Sequence, residues 1–151
     1  MDSNDIKRLS DFLYSGDKER LKTEVTKMNN SLFLHVIAAN YNWDDGFEIP
    51  NLIINNCSCD LGTALLLFYN ADGYRFLESH INNLSGSNTQ WELFITHLYK
   101  KIQNNEFKSQ SISYTPQISR VQVFKLKKNN PNTPNIFLER SPGIDTEIPV
   151  L

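Results

Sequence analysis

Apolar and polar positions follow two different rhythms along this chain. Up to about residue 105 the rhythm is helical. Ile6, Leu9, Phe12 and Leu13 recur at helical spacing within Asp2 to Tyr14, where Ser3 can cap and Ser15-Gly16 stops the run. Asp17 caps a second, charged stretch to about Met28 with a thin stripe of Leu21, Val25 and Met28. Leu32 to Tyr41 is apolar almost all round, the pattern of a core helix. Ile49-Pro50 places proline in the first turn of a helix running to about Asn56. Asp60 caps Leu61 to Asn70, whose Ala64 to Tyr69 is the longest apolar run, so this helix belongs at the centre. The small residues Gly62 and Ala64 near its start let a neighbouring backbone come close. Tyr74 to His80 returns as a short helix, and Asn82 to Asn88 reads as a loop. Thr89 caps a long helix to about Asn104 with a stripe of Trp91, Phe94, Ile95, Leu98, Tyr99 and Ile102.

After Asn105 the rhythm changes to period two. Ser111 to Tyr114 and Val121 to Leu126 alternate as strands do, and Ile136 to Leu138 suits a third strand. The expected fold is therefore mainly α, with about six helices in a helical-repeat-like body and a small C-terminal antiparallel β segment. Residues 1–151 are expected to form one domain: helical body 1–105, appended β segment 111–140, irregular tail 141–151.

The two Asp-Gly pairs, Asp45-Gly46 and Asp72-Gly73, each follow an apolar helix and precede an aromatic residue and another helix. Two copies do not establish a solenoid, but two similar helix-turn-helix units account for the echo. The turns also gather charge. Residues 29–86 hold six acids (Asp44, Asp45, Glu48, Asp60, Asp72, Glu78) against one base, Arg75. Residues 111–151 hold five bases against three acids. Lys125, Lys127 and Lys128 fit a solvated strand end, and the chain lacks the concentrated basic face of a nucleic-acid binder.

Composition narrows the setting. No apolar run approaches a bilayer span, and the first residues lack a basic flank followed by an apolar core. Cys57 and Cys59, one residue apart and without further partners, fit a reducing compartment, so a cytoplasmic protein is expected.

Candidate chemistry is sparse. The acids Asp44, Asp45 and Glu48 do not have calcium-loop spacing, and carboxylates commonly cap turns and helices. Cys57-Ser58-Cys59 lacks both a second zinc-binding pair and redox spacing. His35 has no Cys, Asp or second His at i±3 or i±4 and reads as a hydrogen-bonded core residue. A nucleophilic Cys59 would need a histidine, His35 or His80, beside it in space. No catalytic residue, cofactor or metal is expected. Trp43 is read first as a core plug. Beside an acidic turn it also has the composition of an interaction site.

At Asn42-Trp43-Asp44-x-Gly46, Ile49-Pro50, Cys59-Asp60-x-Gly62-Thr63-Ala64-Leu65, Phe68-Tyr69 and Ala71-Asp72-Gly73, the sequence resembles a bacterial family known as domain of unknown function 4274. The likeness runs from about Leu32 to Glu78. It implies a small helical cytosolic protein without an assigned enzymatic activity, similar in style to the immunity proteins that accompany secreted toxins. The expected function is an immunity protein that occludes the active site of a cognate protein toxin, such as a basic nuclease domain. No nucleic-acid or membrane partner is expected. The expected contacts are Trp43, Asp44, Asp45, Glu48, Asp72 and Tyr74. The alternative is a general interaction or scaffold domain, with an unpaired C-terminal strand edge as a second possible interface.

Overall fold

The computed structural model describes residues 1–79 and 89–151. Among them are eight α-helices: α1 Ser3–Tyr14, α2 Lys18–Lys27, α3 Ser31–Asn40, α4 Glu48–Asn55, α5 Leu61–Asn70, α6 Gly73–Ser79, α7 Gln90–Gln103 and α8 Arg120–Asn129. Short 3₁₀ turns occupy Trp43–Asp45 and Asn135–Phe137. The loop expected at Asn82 to Asn88 and the residue His80 lie outside the described residues.

Local chemistry sets most helix starts. Asp2, not Ser3, caps α1: its carboxylate accepts the N–H groups of Asn4 and Asp5, and the Asp5 side chain answers back. The side chains of Asp17, Asn30, Asp60 and Thr89 cap α2, α3, α5 and α7 by accepting first-turn backbone N–H groups. In the first turn Gly46 takes the left-handed backbone that glycine favours, at φ 84°. The second turn differs, because there Asp72 takes the positive φ, 63°, and Gly73 opens α6.

The core centres on α3 and α5, which pack side by side, with α7 against α5 and α2 against α4. Leu34, Val36, Ile37 and Ala38 of α3 and Ala64, Leu65, Leu67 and Phe68 of α5 are all fully buried. Each buried Leu, Ile or Phe contributes about 1.5–3 kcal/mol of transfer free energy.

The C-terminal antiparallel β segment expected over 111–140 is not there. Among the described residues there is no strand, only two isolated parallel bridges, Asp60 with Ser109 and Ile112 with Ile144. Residues 121–126 lie inside α8. Ser119 and Gln122 form a capping box at its start, and Gln122, Lys125, Leu126, Lys127 and Lys128 are good helix formers. A strand needs a neighbour to satisfy its backbone, and none is available there. Ile136 to Leu138 likewise falls largely in the Asn135–Phe137 turn. Phe137 is fully buried, with its ring 4.9 Å from those of both Tyr99 and Phe68, and its carbonyl accepts the Tyr69 hydroxyl.

The tail 141–151 has no regular element, yet it is tied down. Ile144 exchanges backbone hydrogen bonds with Ser111 and Ser113. The Asn40 amide donates to the Pro149 carbonyl and accepts the Leu151 N–H.

Candidate binding site

The first Asp-Gly turn is built on aromatic rings. After α3, Tyr41 and Asn42 run extended, and the Asn42 side chain caps the turn by accepting the Asp44 N–H at 3.2 Å. The Gly46 N–H closes it onto the Trp43 carbonyl, and the Tyr41 hydroxyl donates to the Gly46 carbonyl at 2.9 Å. Burial first, then the nearby charges of Asp45 and Glu48, push the Tyr41 phenol up to about 12, so it stays a donor. Half-buried Trp43 sets its ring edgewise 5.8 Å from Tyr41, 6.0 Å from Phe47 and 6.1 Å from Phe94 of α7. Such pairs add about 0.5–1.5 kcal/mol each beyond area burial. Trp43 is thus a wedge that pins the turn to α7. Asp44 and Asp45, on the outside of the turn, are exposed. Neither makes an ion pair among the described residues.

Beside this turn an open cleft of about 700 Å³ separates the turn and α4 from α7. Asp45 and Glu48 stand at it, with Phe47, Leu52, Leu93 and Phe94 supplying apolar lining. Leu93 is 59 % exposed although it sits on the helix that carries the main apolar stripe. Glu48 is already engaged: Lys22 reaches it at 2.6 Å and Lys18 at 3.3 Å. The Lys22 hydrogen bond foremost holds its carboxyl below the ordinary range. At the far end, His97 Nε2 lies 3.3 Å from Asn55 Oδ1.

The second Asp-Gly turn meets α7 one turn earlier. The Trp91 indole N–H donates to the Ala71 carbonyl at 2.6 Å, and the Arg75 guanidinium lies 4.7 Å above the Trp91 ring. Asp72 is exposed but 3.8 Å from Arg75. Tyr74 is half-buried, with its phenol raised by burial and then by Glu78. The six expected contact residues therefore divide. Trp43, Asp44, Asp45 and Glu48 share the first turn, while Asp72 and Tyr74 belong to the second. Of the four acids, Asp44 and Asp45 make no ion pair among the described residues, whereas Glu48 and Asp72 each have one. The cleft residues Leu93 and Phe47 were not singled out from the sequence. Leu93 carried a sign: it is an apolar residue off the stripe of its helix.

The acid of the α5 start is spent on structure. Asp60 is fully buried, and its carboxylate accepts five hydrogen bonds. These come from the N–H groups of Gly62 (2.9 Å), Ser111 (2.8 Å) and Ile112 (3.3 Å) and the hydroxyls of Ser109 (2.6 Å) and Ser111 (3.0 Å). Burial alone would raise this carboxyl, but the hydrogen bonds outweigh it and hold the group below its ordinary value. Gly62 is required by the same contact, because a Cβ there would overlap the Ile112 carbonyl.

His35 and Cys59 lie in this buried region. His35 Nδ1 is 3.0 Å from the Thr63 hydroxyl, and burial, opposed by the Asp60 charge, lowers its pKa. Cys59 is 2 % exposed, and burial followed by Asp60 pushes its thiol far up, so it is not a thiolate at neutral pH. Among the described residues no group of three or more His, Cys, Asp or Glu side chains is arranged to hold a metal ion. No described helix is long and apolar enough to cross a membrane.

Residues 29–103 match the model of a family described as "Domain of unknown function (DUF4274)". That span runs from the Asn30 cap of α3 to the end of α7, so it holds both Asp-Gly turns, Asp60 and the cleft lining except Lys18. It stops before the Ser109 and Ser111 hydroxyls that Asp60 binds. No curated protein and no solved structure matches the chain.

Proposed function

The chain belongs, through residues 29–103, to the family described as a domain of unknown function, DUF4274, and we propose that it is a protein-binding domain, an immunity protein that caps a basic cognate toxin. One observation carries the reading. Asp44 and Asp45 are exposed, neither makes an ion pair among the described residues, and their turn is packed by four aromatic rings beside an open cleft that Asp45 lines. A partner's lysine or arginine meets the two carboxylates, and a neighbouring apolar side chain enters the cleft over Leu93 and Phe47. Because the turn is fixed beforehand, little ordering entropy is lost on binding. The unpaired acids steer a cationic partner and speed its approach. Nuclease toxins carry basic surfaces where they hold nucleic-acid phosphates, so a cap of this charge covers their working face.

The test is growth protection. A toxin domain encoded beside the gene for this chain is expected, and co-expression with it should restore growth. Asp44→Lys/Asp45→Lys should keep the helical fold but lose protection, with affinity weakened about a hundredfold or more at low salt. Protection equal to that of the parent protein would remove the acidic turn from the interface. Tight binding without growth protection would favour the alternative, a general interaction or scaffold domain.

A further inference from the structure

The strand-to-helix difference at residues 120–129 changes what the basic cluster means. On a strand, Lys125 and Lys127 would share one face and Lys128 would take the other. On α8 the side chains are distributed at about 100° per residue, and a different surface emerges. Leu126 is the buried residue of the helix, and among the described residues α8 packs against α6. The opposite face carries Phe124, 67 % exposed, beside Val121, 62 % exposed. Arg120, Lys125, Lys127 and Lys128 surround these two, and all four are exposed. The helix holds no acid. None of the four cations makes an ion pair among the described residues.

We infer that this face of α8 docks on an anionic lipid surface. A peripheral helix with one anchored side is convex, and its two most exposed apolar side chains stand inside a ring of cations. That arrangement suits a membrane interface, where the rings and methyls enter the acyl boundary and long basic side chains reach phosphates at headgroup level. Each basic residue near such a surface adds attraction that falls off within a Debye length. A single-stranded nucleic acid is served less well. Proteins that hold it offer a basic groove with aromatic platforms for successive bases, whereas here there is one aromatic ring, a valine and no groove. This surface is independent of the acidic turn, so the two proposals stand or fall separately.

Vesicle co-sedimentation of the full chain tests it. Vesicles of phosphatidylglycerol and phosphatidylcholine should bind the protein at low salt, pure phosphatidylcholine should not, and raising the salt should release it. Phe124→Ser and Val121→Ser should each weaken binding, the former about tenfold or more, and Lys125→Glu/Lys128→Glu at least as much. All four positions are exposed, so circular dichroism should show unchanged folds. Absence of binding to the anionic vesicles would overturn the inference, as would binding that Phe124→Ser leaves intact. Binding of a single-stranded homopolymer RNA in preference to the vesicles would overturn it in favour of a nucleic-acid site.

Discussion

Asp60 at the start of α5 and the Asp44–Asp45 pair of the first turn are the same residue type in the same half of the chain, and the fold uses them in opposite ways. Asp60 has no exposure and accepts five hydrogen bonds, four of them from residues about fifty positions later. It closes the C-terminal segment onto α5. Asp44 and Asp45 face solvent, and the aromatic rings beneath them do the holding. Exposure alone does not separate structural from functional acids. Asp72 and Glu48 are also exposed, yet each has an internal cation. What distinguishes the first-turn pair is an aromatic support together with charge that no ion pair answers among the described residues.

The largest effect should come from Asp60→Asn. Asparagine keeps the shape but presents an NH₂ where the Ser111 N–H now donates. The two serine hydroxyls can rotate, but that N–H cannot. Urea denaturation should show a loss of about 2–4 kcal/mol. A loss under 1 kcal/mol would mean that the clamp is dispensable.

Acid should reveal the same clamp. His35 has a folded pKa below its ordinary 6.5, so the unfolded chain binds more protons and stability begins to fall as pH drops through that value. Asp60 has a folded pKa below its ordinary 3.8, so its contribution is full above 3.8 and is lost as pH falls through the lower folded value. High salt should leave both limbs in place while screening surface pairs such as Lys22–Glu48 and Arg140–Asp145. In Asp60→Asn the lower limb should flatten and the upper limb should persist. Denaturation midpoints measured from pH 7 to pH 3 distinguish the two limbs. An unchanged lower limb would place the acid-sensitive group elsewhere.

The sequence made one part of this comparison readable and hid the other. Helices α1 to α7 were legible because caps and stripes agree: Asp17, Asp60 and Thr89 each precede a run whose apolar residues then fall inside. Gly62 and Ala64 announced a close backbone approach, and Ile112 supplies it at Gly62. The partners of Asp60 could not be read, because no local pattern ties position 60 to Ser109 and Ser111. The C-terminal reading failed for a definite reason. The run Val121 to Leu126 reads as alternating, but a helix with one buried residue has no apolar stripe to display. The Ser119-x-x-Gln122 cap was the better signal. Trp43 reads first as a core plug and then as an interaction residue beside an acidic turn, and it packs half-buried against the core. Its use as a wedge depends on Phe94, which arrives from a distant helix.

The smallest expected effect is the most direct test. Asp44→Asn/Asp45→Asn removes both charges with little change of shape. If these acids serve a partner and Trp43 holds the turn, the urea midpoint should correspond to a stability within about 0.5 kcal/mol of the parent protein. A loss comparable with that of Asp60→Asn would show that the turn acids are structural too, and would contradict the division of labour on which the proposed interface rests.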